Sequence, residues 1–269
     1  MRLRRVVAVV LGVLCCVSGA SAEEPASLAR ARALYNASEY AAAIEAASVA
    51  RQNPAWADAG ALVVARAHLE QYRQVGDAED LSAARDALGL VRPAALRPRD
   101  QVDLLIGLGQ SLYLGEVFGA AAELFDTALA RADLLGARER LGLLDWWATA
   151  LDREAQGRPL SRRVRLFERI GARMEGELRQ DAGSPVANYW RAVAARGVGD
   201  LDAAWNAAIA AWVRSTLSPD TTESLRADLD RLVTEVLIPE RAHTSEADGV
   251  LDSEATLRTE WDLLKQQWK

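Results

Sequence analysis

The sequence predicts an all-α protein, an α-solenoid of stacked helix-turn-helix units with C-terminal capping helices. Three observations predict it. Half of the residues are apolar, but Ala, Leu and Arg dominate, and the strand formers Ile, Phe and Tyr are sparse. Apolar residues recur at helical spacing, and no alternating run is long enough for a strand. Finally, Ala43, Ala84, Ala121 and Ala204 each stand early in a returning helix, at intervals of 41, 37 and 83 residues, the last close to two of the others. The omitted member falls near Val164. A period of about 40 residues with two helices per unit is that of a helical repeat array, in which each pair buries its apolar face against the next.

Residues 1–22 read as a secretory signal peptide. Arg2, Arg4 and Arg5 form the positive start, Val6 to Val17 the apolar run, and Ala20-Ser21-Ala22 the small-residue cleavage pattern. The run is too short for an ordinary transmembrane helix. Cys15 and Cys16 lie inside it, so a mature chain starting at Glu23 has no cysteine for a disulfide or a metal.

A repeat domain is predicted over residues 23–240. Ser27 to Tyr35 is a first helix, turned by Asn36-Ala37-Ser38, and Glu39-Tyr40 opens a second that ends before Asn53-Pro54. Ala61, Val64, Ala65, Leu69 and Tyr72 mark a third, broken at Gly76-Asp77, where the connection looks longer than in the other units. Leu81, Ala84, Leu88 and Val91 mark a fourth, closed by Pro93. Asp100 is the expected N-cap of the next helix. Val102 to Ala130 then writes one unit most plainly, two amphipathic segments around a Gly115-Glu116-Val117-Phe118-Gly119 corner. Small residues (Gly109, Ala121, Ala128) stand where the two helices would touch, beside Leu108, Leu112 and Phe125.

Leu141, Leu144, Trp147, Ala148 and Leu151 follow, stopped by Gly157-Arg158-Pro159. Ser161 is the expected cap of a helix with Val164, Phe167, Ile170, Met174 and Leu178 on its apolar face. Ser184-Pro185 is a strong helix start, an N-cap followed by proline in the first turn. Gly197-Val198-Gly199-Asp200 turns the chain, and Leu201 to Val213 returns. Residues 221–238 read as a terminal cap stopped by Pro239, 241–254 as a polar linker, and 255–269 as a last amphipathic helix carrying Leu257, Trp261, Leu264 and Trp268.

The residues exclude several chemistries. The net charge of −6 becomes −9 once Arg2, Arg4 and Arg5 are removed. That disfavours nucleic acid and anionic lipid as partners, since both need a basic footprint. His68 and His243 are the only histidines, and neither has the neighbours of a zinc site. Gly197-Val198-Gly199 joins two helices and is no phosphate loop. The serines lack a nucleophile-elbow context, and the carboxylates are scattered on helix faces. The expectation is no cofactor, no metal and no catalysis. Eight tryptophans are the compositional oddity. Adjacent Trp146 and Trp147 point about 100° apart on a helix, so both do not reach one core.

The pattern Leu108-Gly109, Leu112, Ala121, Phe125 and Ala128 resembles the tetratricopeptide repeat family. Gly199-Asp200-Leu201-Asp202-Ala203-Ala204 with Ala208 and Ala211 resembles it again, as does Glu39-Tyr40 through Ala43 with Ala47 and Ala50. The resemblance covers most of residues 26–216. It implies that the first helix of each pair lines a concave groove. Groove positions then fall on Arg32, Tyr35 and Asn36, on Gln110 and Tyr113, and on Tyr189 and Arg196. Together with the predicted leader, it implies an exported, non-catalytic scaffold, periplasmic in a Gram-negative bacterium, that binds a peptide or partner protein. The competing expectation is an accessory of a solute transporter, which would have a deep Trp-lined pocket.

Overall fold

The structure, a computed structural model, describes residues 24–217, 223–247 and 253–268. The predicted leader, Pro219 and part of the predicted linker lie outside them. Among the described residues there is no strand. Ten helices follow one another through the repeat region: α1 (Ala26–Asn36), α2 (Tyr40–Ala50), α3 (Ala57–Val75), α4 (Ala78–Gly89), α5 (Pro98–Leu114), α6 (Phe118–Leu129), α7 (Ala137–Gln156), α8 (Leu160–Gln180), α9 (Pro185–Gly197) and α10 (Leu201–Leu217). Each packs on the next. In addition, α1 touches α3, α3 touches α5, and α7 touches α9, while α5 and α7 are joined through side chains, Arg99 to Glu139 and Tyr113 to Trp146.

The turns explain the pairing. Ser38, Glu116 and Gly199 occupy the same place in the α1–α2, α5–α6 and α9–α10 corners, with φ of 63°, 61° and 89°. In each corner the next N–H donates back across the turn, Glu39 to Leu34, Val117 to Leu112 and Asp200 to Ala195, all at 2.9 Å. This left-handed cap satisfies carbonyls that the ending helix leaves free. The same corner at three points along the chain brings the following helix back antiparallel each time.

Packing follows the small residues. Ala43, Ala84, Ala121 and Ala204 are all fully buried. Within the α5–α6 pair, Gly109 lies under the ring of Phe125, where a Cβ would come within 2.5 Å of ring carbons. Between pairs, a Cβ on Gly197 of α9 would come within 2.2 Å of Phe167 on α8. Backbone thus approaches aromatic ring both inside a unit and across units. The central core gathers Phe125, Leu144, Trp147, Leu151, Ile170 and Met174 from three successive helices, α6, α7 and α8. Trp147 is buried and Trp146 only partly so, but Trp146 packs against the same core, 5.9 Å from the Phe125 ring, so the adjacent pair does reach one core.

Several local expectations are corrected. The connection at Gly76-Asp77 is short, and the extra residues lie inside α3, which has 19 residues against 11 in α1. Gly76 supplies the left-handed stop at φ 79°, and Asp77 caps α4 by accepting from Glu79 N–H at 3.0 Å. Asp100 is not a cap: α5 begins at Pro98, whose missing N–H costs nothing there, so Asp100 falls inside the first turn. Ser161 likewise sits inside α8, which Pro159-Leu160 opens. Ser184 caps α9 as expected, its hydroxyl accepting from Ala187 N–H at 3.2 Å.

Pro239 does not end its helix. The chain runs from α11 (Glu223–Arg231) through a π turn (Leu232–Leu237) into α12 (Ile238–Ala247), which enters the stretch expected as linker. The wide turn just before Pro239 relieves the hydrogen bond and the space that proline denies a regular helix. The final helix, α13 (Glu254–Gln267), docks on its own chain. Leu257 and Trp261 are buried with Leu229, Val233, Leu237 and Trp205. Trp261 Nε1 donates to Asp230 at 2.7 Å, and Lys265 Nζ reaches the same carboxylate at 2.9 Å.

Candidate functional site

The side on which odd-numbered helices meet carries a cavity of ≈ 120 Å³. Helix α1 contributes Arg32, Tyr35 and Asn36, three of the predicted groove residues. Helix α3 contributes Ala59, Leu62, Val63 and Arg66. Helix α5 adds Arg99, Asp100 and Asp103, and α7 adds Glu139. The apolar residues come from the turn of α3 that packs inward, and the charged ones from the rims.

The rims are cross-linked by charge. Arg32 donates to Asp100 at 2.7 Å, Arg66 to Asp103 at 2.6 Å and Arg99 to Glu139 at 2.5 Å. Arg99 also stands 2.8 Å from Asp103. Asp100 and Asp103 are buried, so their pairing matters more than surface pairs do; an unpaired carboxylate there would be strongly disfavoured. The Arg66 guanidinium lies over the Tyr35 ring, 4.7 Å from its centroid. Burial pushes the Tyr35 hydroxyl above its ordinary range, partly offset by the neighbouring Arg66 charge. Arg66 Nε has no hydrogen-bond partner, and Arg32 Nε and Arg99 Nη1 make no aligned bond.

The other predicted groove residues fall elsewhere. Gln110 is buried in α5 and its carbonyl oxygen has no partner. Tyr113 belongs to an aromatic cluster, edge-on to Trp146 at 5.0 Å and to Phe118 at 5.2 Å. Arg73 of α3 covers Trp146 at 5.1 Å, so the cluster continues the face beyond the cavity. Tyr189 and Arg196 lie under the C-terminal helices. Arg196 forms a forked pair with Glu240 of α12, at 2.6 and 3.0 Å. Tyr189 packs edge-on against Trp190, and burial, reinforced by Asp228, Asp145 and Asp152, raises its hydroxyl well above the ordinary range. The structure therefore brings together Arg32, Tyr35 and Asn36, and separates the remaining four from them.

Arg66, Arg99, Asp103 and Glu139 were not anticipated. A signal for two of their pairs exists: Arg66 and Asp103 are 37 residues apart, and Arg99 and Glu139 are 40, each about one repeat. Opposite charges separated by one period on first helices of neighbouring units meet when the units stack. His68, also outside the predicted site, pairs with Asp80 through Nδ1 at 2.8 Å, between α3 and α4. Among the described residues no group of His, Cys, Asp and Glu is arranged to hold a metal ion. No described helix is long and apolar enough to cross a membrane. No family model, curated protein or solved structure matches the chain.

Proposed function

We propose that the protein is an exported α-solenoid of the tetratricopeptide type that holds a peptide or partner protein on the face lined by its odd-numbered helices. The observation that carries this reading is the shared face itself. Helices α1, α3 and α5 meet in succession, α5 and α7 are joined through Arg99–Glu139 and Tyr113–Trp146, and all four place side chains at the cavity. The face combines exposed polar groups (Asn36, Arg73) with part-exposed aromatics (Tyr35, Tyr113, Trp146). Such aromatic and arginine side chains supply most of the binding energy in protein interfaces. The recurring corner and the Ala43, Ala121 and Ala204 contacts support the repeat assignment. The cavity on this face contains no tryptophan, so the Trp-lined pocket of a transport accessory has no counterpart in it.

The predicted leader implies cleavage after Ala22 and a periplasmic location. The test is capture from the exported fraction of the native host, with the wild-type chain and with Arg73→Ala/Tyr113→Ala/Trp146→Ala. Arg196 is left alone because Glu240 already engages it. Partners lost from the triple variant but kept by an Arg191→Ala control, which lies away from this face, support the reading. Identical partner lists refute it. Fractionation that finds the chain in the cytoplasm with its leader intact removes the export claim separately.

A further inference from the structure

The cavity between α1, α3 and α5 differs chemically from the rest of the face. Its charged walls balance: Arg32, Arg66 and Arg99 stand against Asp100, Asp103 and Glu139. A ligand of one sign gains little here, because each attraction has a matching repulsion alongside it. A ligand with both signs a few ångströms apart gains from both. Hydrogen-bonding capacity is also unevenly used. Arg66 Nε has no acceptor, while Asp103 receives two guanidinium groups on a single oxygen, Oδ1, at 2.6 and 2.8 Å. Arg32 Nε and Arg99 Nη1 stand 3.0 and 2.8 Å from carboxylates, but off the line of a good bond. Buried donors left in that state are unfavourable and rare. An incoming carboxylate would supply the acceptor that Arg66 Nε lacks, and an accompanying ammonium group would meet the other Asp103 oxygen, Oδ2, since both guanidinium groups crowd Oδ1.

Size and floor narrow the ligand. A cavity of ≈ 120 Å³ has room for at least about four waters, at about 30 Å³ for each. That suits a small amino acid and excludes a nucleotide. Leu62 and Val63 make the floor apolar, which favours an aliphatic side chain over a polar one.

We infer that this cavity binds a free zwitterionic α-amino acid with a small aliphatic side chain. Its carboxylate lies on Arg66, its ammonium group on Asp103, and its side chain on Leu62 and Val63. The inference does not rest on the partner-binding reading, since a chain with no protein partner can still fill this cavity. The rival explanation is that the ion pairs only tie α1, α3, α5 and α7 together.

Calorimetric titration of the full chain separates the two. The probes are L-leucine, its two halves as acetate and isobutylammonium, and L-glutamate. L-leucine is expected to bind with a Kd below about 1 mM, and each half at least about tenfold more weakly. Arg66→Lys keeps a cation for Asp103 but removes the Nε donor, and it should weaken leucine binding about tenfold, the scale of one charge-assisted hydrogen bond. Asp103→Asn should weaken leucine more than acetate. Circular dichroism verifies that each variant folds, and Arg66→Lys decides alone if Asp103→Asn does not. No binding of leucine at about 10 mM, acetate or glutamate binding as tightly as leucine, or unchanged affinity in Arg66→Lys each overturns the inference. Leucine binding without any captured partner retains this inference and removes the proposed function instead.

Discussion

Replacing Phe125 with alanine tests the seam between α5 and α6. The ring is fully buried, and a Cβ at position 109 would lie 2.5 Å from its Cε1 and 2.7 Å from its Cδ1. Nothing on Gly109 can move into the space the ring vacates, so the site collapses poorly and Phe125→Ala should cost about 3–5 kcal/mol. In a chain of this length, at about 2 °C per kcal/mol, that lowers the melting temperature by roughly 6–10 °C. Gly109→Ala alone drives a methyl group into the ring. Its overpacking cost of about 1–3 kcal/mol outweighs the roughly 1 kcal/mol gained in helix propensity. In the double variant the methyl group enters the void, so the two costs should fall short of additivity by about 1–3 kcal/mol, while the propensity gain cancels from the cycle. Urea unfolding of the four proteins, followed by circular dichroism, measures this directly. Additivity within about 0.5 kcal/mol would show that the two residues are not in contact and would refute the packing assignment.

Other outcomes follow from the corners and the C-terminal helix. Ser38→Gly and Glu116→Gly each place glycine where φ is positive and should each stabilise by about 0.5–1 kcal/mol in thermal melts; destabilisation would deny the shared corner. Asp230→Ala strands Trp261 Nε1 in the interface and should cost about 1–3 kcal/mol, seen as loosened α13 by hydrogen exchange. The same contact sets a pH window. Burial opposes the charged Asp230, but bonds from Lys265 and Trp261 outweigh it and hold the carboxyl below its ordinary value. Its contribution is present above about pH 4 and is lost as pH falls through the depressed folded value. Burial also opposes charged Lys265, but Asp230 and Asp262 outweigh it and raise the amine. That contribution is complete below about pH 10.4 and is lost as pH rises through the folded value. Protection factors in α13, which remove the intrinsic pH dependence of exchange, should be highest between those limits in the wild type; Asp230→Ala should lose the acid edge and keep a weakened alkaline edge, because Asp262 still faces Lys265.

The helices were legible because their causes are local. Glycine and proline punctuate the chain, and the four alanines mark tight crossings that the period alone reveals. Ser184-Pro185 was read correctly for the same reason: cap and proline act within one turn. Asp100 and Ser161 were misplaced because a proline two residues earlier opens each helix instead, and either signal is plausible in isolation. Pro239 misled because a π turn upstream makes room for it, which depends on how Val233 and Leu237 pack. For the site, three of the residues expected from the family resemblance, Arg32, Tyr35 and Asn36, line one cavity. It could not show that α12 returns over α9 to occupy Arg196, because that contact joins residues 44 apart outside the repeat. The facing charges of Arg66 and Asp103 obey the period but demand that partners be sought one unit away.

The arrangement of first helices along one face underlies the whole account, and one cross-linking measurement tests it. The chain expected after leader removal has no cysteine, so Arg32→Cys/Asp100→Cys introduces the sole thiol pair, at positions whose native side chains meet at 2.7 Å although 68 residues apart. A short bifunctional thiol reagent should join α1 to α5 within one chain, detected as an intramolecular link by peptide mass spectrometry. Thiols that react singly but never bridge within the chain would contradict the shared face, and with it the proposed partner surface and the amino-acid cavity.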